Sequence, residues 1–119
     1  MNTTREVLRN HLTSFGRGDL DGILADYAPT AILFTPGGEL VGVDAIRPLF
    51  VELLAEFAKP GASFALERES VNGDFAYILW SAETADRTYE LATDTFVVQG
   101  GKIVAQSFAA KVLGKRSCA

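Results

Sequence analysis

The sequence is poor in cysteine and histidine. Its 119 residues include one cysteine, Cys118, and one histidine, His11. A single cysteine cannot form a disulfide within the chain, which fits a reducing compartment. Without a second histidine, a C-x-x-C or an H-E-x-x-H pattern, no transition-metal site is expected. No Ser-His-Asp or Cys-His arrangement is recognisable, and Cys118 is too terminal to be a convincing nucleophile.

Long apolar runs and an excess of positive charge are also absent. No run reaches the roughly 20 apolar residues of a membrane-spanning helix. Residues 1–6 lack the charged-then-apolar pattern of a secretory signal, so we expect a cytoplasmic protein. Eleven basic and fifteen acidic residues give a net charge of −4. Because nucleic-acid binding needs a basic surface, we expect neither a nucleic-acid nor a membrane partner.

The sequence does contain enough apolar residues, 48%, to build the core of a single domain over residues 1–119. Thr3 and Glu6 have the spacing of a capping box, which predicts that a helix begins here. His11 shares one side of this helix with apolar residues at helical spacing. We therefore expect its side chain to point inward.

Two further helices are predicted before residue 60. Asp19 is expected to cap the second helix, with an apolar stripe that reaches Tyr27 and an end at Pro29. Asp44 is expected to cap the third helix. The stripe of this third helix is wide enough to lie against a sheet.

The remaining segments alternate or turn as β-structure does. Residues 31–34 and 39–41 predict a short hairpin, and four longer runs follow at residues 63–71, 75–80, 89–98 and 103–113. The sequence Asn72-Gly73-Asp74 is a strong signal for a tight hairpin turn, and Gly100-Gly101 marks another turn. Adjacent hairpins of this kind predict an antiparallel meander, and hence an α+β fold.

A set of short motifs occurs in a fixed order along nearly the whole chain: Gly18-Asp19, Tyr27, Pro36-Gly37, Gly42, Ala45-Ile46, Gly73-Asp74, Ala76, Trp80 and Gly101-Lys102-Ile103. This order resembles the SnoaL-like branch of the nuclear transport factor two-like superfamily, which includes ketosteroid isomerase. The resemblance implies a cone-shaped fold, in which a strongly bent antiparallel sheet packs on three N-terminal helices around a mostly apolar cavity. It also implies a homodimer and chemistry without a cofactor.

Ketosteroid isomerase supplies the comparison for the chemistry. The position of its carboxylate base corresponds to Thr35, just before Pro36, and threonine is not basic near neutral pH. The position of its oxyanion-hole tyrosine corresponds to His11, and that of its protonated aspartic acid corresponds to Asp94. The resemblance therefore implies two titratable groups, His11 and Asp94, as the catalytic candidates.

Each catalytic candidate also has a structural interpretation. His11 either carries protons in a pocket or is a core histidine satisfied by one hydrogen bond. Asp94 shares a strand face with Phe96 and Val98, and its carboxyl points either outward to solvent or inward. If both side chains point inward, they either form a pair, or Asp94 stays protonated and donates a hydrogen bond.

Five further residues are candidates for the wall of the cavity, although each is as readily explained by packing. A buried glutamine amide or indole N–H needs a partner, which makes two of them informative. Asp26 and Glu83 are instead expected to be solvated. The ligand-binding candidates are Tyr27, Thr35, Trp80, Gln106 and Phe108.

The leading hypothesis is a protein that binds a small, largely apolar metabolite, carbonyl-bearing or polycyclic. As an enzyme it would catalyse isomerisation, aldol cyclisation or dehydration, as ketosteroid isomerases and polyketide cyclases do. His11 would then be the general acid or base, and Asp94 its orienting group or an oxyanion donor. The alternative hypothesis is a noncatalytic ligand carrier, or a dimer that interacts through its sheet.

Overall fold

The computed structural model describes residues 2–115, so Cys118 lies outside the described residues. Three helices and six strands follow one another along the chain. The helices are α1 (Thr4–Gly16), α2 (Leu20–Ala25) and α3 (Val43–Ala58), and the strands are β1 (Tyr27–Thr35), β2 (Gly38–Val41), β3 (Ser63–Asn72), β4 (Phe75–Glu83), β5 (Arg87–Gln99) and β6 (Lys102–Gly114).

The sheet has the strand order β2-β1-β6-β5-β4-β3. The predicted hairpins are present, and β3, β4, β5 and β6 form the expected antiparallel meander. The ladder between β1 and β6 is parallel, however, so the sheet is mixed rather than wholly antiparallel. The predicted α+β architecture is confirmed, with three helices packed on one curved, unclosed sheet.

The helix caps differ in how well they were predicted. Thr3 and Glu6 form the capping box, and the Asp19 carboxylate accepts a hydrogen bond from the backbone N–H of Gly22. The prediction for Asp44 is wrong, because α3 is capped by Gly42. Gly42 has a φ of 88°, a left-handed conformation that favours glycine, and its carbonyl accepts the first two backbone bonds of the helix.

The second helix is shorter than predicted. It ends at Ala25, so Tyr27 lies at the start of β1 and Pro29 lies within that strand. The physical reason is a tertiary bond: the backbone N–H of Ile103 on β6 donates to the carbonyl of Asp26 at 2.8 Å. Pairing with β6 therefore converts the segment from helix to strand at this point.

The core lies between the helices and the inner face of the sheet. On β4 and β5 buried residues alternate with more exposed ones, as expected for strands with one packed face. No helix in the described range, residues 2–115, is long and apolar enough to cross a membrane. The largest fully buried side chains of this core are Phe96, Leu8, Ile23, Leu33, Ile46 and Ile103.

Candidate active site

A pocket of about 450 Å³ lies between α1, α3 and the inner face of the sheet. Its wall is mainly apolar. Six polar residues also line it: His11, Arg17, Ser63, Trp80, Asp94 and Gln106. The apolar lining residues include Leu12, Phe15, Leu33, Leu49, Phe50, Leu53, Leu54, Phe57, Phe64, Ile78, Phe96 and Phe108.

His11 points inward from α1 because it follows Val7 and Leu8 at helical spacing, and all three are buried. Its ring meets three aromatic rings from other elements edge-on, with centroids 5.6 Å from Tyr27, 5.7 Å from Phe50 and 5.5 Å from Phe96. These contacts hold the ring without supplying a hydrogen bond to it. Aromatic rings therefore pack around the imidazole at the wall of the pocket.

The carboxyl group nearest to the Nδ1 atom of His11 belongs to Asp26, which directly follows α2. Its Oδ2 atom lies 3.6 Å from that nitrogen. The expectation that Asp26 is solvated is wrong, because its side chain is only 12% exposed. Both atoms are buried, and neither has a hydrogen-bond partner. The cause is the early end of α2, which turns this residue towards α1.

Asp94 points into the same pocket from β5. Its Oδ2 atom accepts a hydrogen bond from the indole N–H of Trp80 at 2.8 Å, and its Oδ1 atom accepts one from the amide of Gln106 at 2.9 Å. Burial raises the pKa of Asp94 above its usual range, although these two bonds and the nearby His11 act in the opposite direction. The inward orientation is thus the one adopted.

Gln106 connects Asp94 to Tyr27. The Tyr27 hydroxyl donates to the side-chain oxygen of Gln106, which leaves the amide N–H₂ to donate to Asp94. Burial, followed by the charges of Asp94 and Asp26, holds the pKa of Tyr27 well above its ordinary value. Tyr27 is not among the residues that line the pocket. It lies behind Gln106 and orients that amide.

The last three wall candidates lie in different places. Phe108 and Trp80 both line the pocket, and their rings stack with centroids 6.2 Å apart and planes 19° from parallel. Thr35 is the last residue of β1, where its hydroxyl donates to the carbonyl of Gly38 and accepts from the N–H of Gly37 in the β1–β2 turn. The structure therefore does not bring Thr35 to the pocket.

Sequence reasoning missed two buried carboxylates, Asp26 and Glu56. Glu56 lies on α3 and accepts hydrogen bonds from the hydroxyls of Thr84 and Tyr89, away from the pocket. Burial and the bond to Glu56 raise the pKa of Tyr89 to about 12. The available signal for Glu56 was an acidic residue next to the end of the wide apolar stripe of α3. For Asp26, no local pattern marked the contact with α1.

The arrangement suits proton transfer. A histidine and an aspartic acid face one mainly apolar pocket, and two hydrogen-bond donors fix the orientation of the aspartic acid. Within residues 2–115 no group of three histidine, cysteine or acidic side chains is placed to hold a metal ion. Histidine and aspartic acid are side-chain types that serve as general acids and bases in enzymes.

Comparison with known proteins places this geometry in a family. Residues 8–106 match the model of the SnoaL-like domain. Among curated protein sequences there is no match. A solved structure of a protein of unknown function from Mesorhizobium loti, described as like nuclear transport factor two, is 26% identical with a TM-score of 0.77, covering 91% of this chain and 90% of that one.

Two more distant structures carry functional names. A protein from Kribbella flavida, named as a candidate ketosteroid isomerase, is 13% identical with a TM-score of 0.75 and covers 98% of this chain and 83% of its own. The epoxide hydrolase/cyclase-like enzyme SalBIII, with a role in pyran ring formation in the polyether salinomycin, is 16% identical with a TM-score of 0.78, covering 94% and 95%. At these identities the likeness concerns the fold.

Proposed function

Because this chain belongs to the SnoaL-like domain family, we propose that it binds a small, largely apolar metabolite in the pocket and performs acid–base chemistry on it without a cofactor. The reaction class is isomerisation, cyclisation or dehydration of a carbonyl-bearing or polycyclic compound. The observation that carries the proposal is the presence of His11 and Asp94 together on a mainly apolar pocket.

The pocket wall supports an apolar ligand. Burial of apolar surface contributes about 25 cal/mol per Å² removed from water, so aromatic and aliphatic walls favour a hydrocarbon framework. Ligand pockets of this kind have a few polar groups that fix the orientation of the ligand. Here those groups are on α1, β4, β5 and β6, and a carbonyl or hydroxyl of the ligand would face them.

The polar groups support distinct acid and base roles. Burial raises the pKa of Asp94, so its carboxyl keeps its proton to higher pH than an exposed aspartic acid. In that form it can donate a hydrogen bond to an oxygen that gains negative charge in the reaction. The base of ketosteroid isomerase has no counterpart at Thr35, which is not basic and whose hydroxyl at the end of β1 bonds to the carbonyl of Gly38. The base role therefore falls to His11.

The two solved structures that carry functional names also support this reaction class. A candidate ketosteroid isomerase and a cyclase-like enzyme share this fold. Isomerisation and cyclisation of carbonyl compounds both need a proton taken from one atom and given to another. The site offers groups for both steps, which is why we favour this class.

A binding and turnover experiment tests the proposal. Trp80 is the only tryptophan and lines the pocket, so its fluorescence reports occupancy by a panel of cyclic ketones and polyketide-like compounds. For any compound that is turned over, His11→Ala is expected to lower kcat by about 10²–10⁴-fold, the usual contribution of a general acid–base group. Asn10→Ala, at the exposed neighbouring position of α1, is the matched control.

Unchanged turnover in a folded His11→Ala variant would refute the catalytic role. Saturable binding by many compounds with turnover of none would instead support the second candidate, a noncatalytic carrier.

A specific observation favours an interaction role for the outer sheet face: Phe75 and Leu91 are 58% and 52% exposed there. We propose a homodimer through this face, tested by analytical ultracentrifugation of Phe75→Lys, which should dissociate the dimer, against Asn10→Lys at an exposed position of α1 as the control.

A further inference from the structure

We propose that Asp26 is a positioning residue for His11, which holds the imidazole with its Nδ1–H towards the Asp26 carboxylate and the unprotonated Nε2 towards the pocket. The catalytic consequence rests on the proposed function, but the geometry does not. It starts from the 3.6 Å separation of the two atoms. That distance is about 0.4 Å beyond the upper limit of an N–H···O hydrogen bond, so a small side-chain rotation closes it.

Asp26 is held in place by the backbone on both sides. Its N–H donates to the carbonyl of Ile23 at 3.2 Å, and its own carbonyl accepts from Ile103 at 2.8 Å. The residue therefore joins α2 to β1 and β6, and its carboxyl emerges beside α1. A carboxyl fixed in this way can orient a neighbouring ring at little entropic cost, since the ordering comes from the fold.

Neither atom of the pair has another partner among the described residues. His11 Nδ1 and Asp26 Oδ2 are both buried and have no hydrogen-bond partner. The Nε2 atom is not among the buried atoms that lack a partner, and His11 lines the pocket. Buried polar atoms in folded proteins are nearly always hydrogen-bonded, and these two atoms face only each other. A hydrogen bond between Nδ1 and Oδ2 would give each of these two buried atoms its partner.

The other groups around the ring do not compete for Nδ1. From β1, α3 and β5 the ring meets the aromatic faces and edges of Tyr27, Phe50 and Phe96. The second nearby carboxyl, Asp94, already accepts one hydrogen bond on each oxygen. The two acids therefore have different roles: Asp26 orients the imidazole, and Asp94 lines the pocket.

This pairing decides which nitrogen acts. A neutral imidazole carries its proton on one nitrogen and accepts on the other, and the partner of the first sets the tautomer. With Nδ1 protonated towards Asp26, the lone pair of Nε2 faces the ligand as the base. When Nε2 takes up a proton, the carboxylate lies beside the resulting imidazolium and stabilises it.

The test reads the tautomer directly. His11 is the only histidine, so ¹⁵N NMR of histidine-labelled protein at pH 9 shows one imidazole. We expect the wild type to be mainly the Nδ1–H tautomer. Asp26→Ala is expected to raise the ratio of the Nε2–H to the Nδ1–H tautomer by about tenfold, equivalent to ~1.4 kcal/mol. Asp21→Ala, at an exposed acid of α2, should leave the ratio unchanged.

Asp26→Asn is the second variant, for use where alanine disturbs the fold. It keeps the size of the side chain but loses the charge, and is expected to change the ratio in the same direction. A wild type with mainly Nε2–H, or an unchanged ratio in a folded Asp26 variant, would overturn the proposal. Because no ligand enters this measurement, its result is independent of whether His11→Ala alters turnover.

Discussion

Removal of the Tyr27 hydroxyl offers the most direct test of the polar network behind the pocket. Tyr27→Phe deletes the donor to the side-chain oxygen of Gln106 and keeps the ring that packs in the core. Gln106 is only 4% exposed, so water does not readily replace the lost donor. A buried polar atom left without its partner costs about 1–3 kcal/mol, and we expect a loss of stability in this range.

The assay is urea unfolding followed by the fluorescence of Trp80. The matched control is Tyr77→Phe, since Tyr77 is half-buried on the other face of the sheet and its hydroxyl makes no hydrogen bond within residues 2–115. Substitutions of this kind usually change stability by less than about 0.5 kcal/mol. If both variants lose the same free energy of unfolding, the hydroxyl of Tyr27 does not support Gln106 and the reasoning fails.

Two further predictions concern the buried acids. Because burial raises the folded-state pKa of Asp94, its contribution to stability is fully present below the ordinary value of 3.8 and is lost as pH rises through the raised value. The free energy of unfolding of the wild type minus that of Asp94→Asn, from urea unfolding at pH 4 to 8, should therefore fall as pH rises. A difference that rises with pH would contradict this prediction. Glu56→Gln weakens the bonds from Thr84 and Tyr89 and should cost about 1–3 kcal/mol, against no change for the exposed Glu52→Gln; equal midpoints in thermal unfolding would refute it.

Local sequence predicted the elements whose causes are local. The capping box of Thr3 and Glu6, the Asp19 cap and the tight turn at Gly73 each depend on atoms within a few residues. The burial of His11 followed from helical spacing, and the alternation of β5 put Asp94 on the same face as Phe96. These features could be predicted because backbone geometry fixes the period with which side chains point in one direction.

Tertiary structure decided the features whose causes lie far apart in sequence. Pairing with β6 ended α2 at Ala25 and made one ladder parallel, which placed Asp26 rather than Asp94 beside Nδ1 of His11. The choice of an inward Asp94 depended on donors from two other strands, Trp80 and Gln106. The sequence by itself thus determined the local caps, the tight turns and the inward side of α1. Long-range strand pairing determined which acidic side chains are buried and which polar groups meet, because only the folded chain sets distances between segments that are not neighbours.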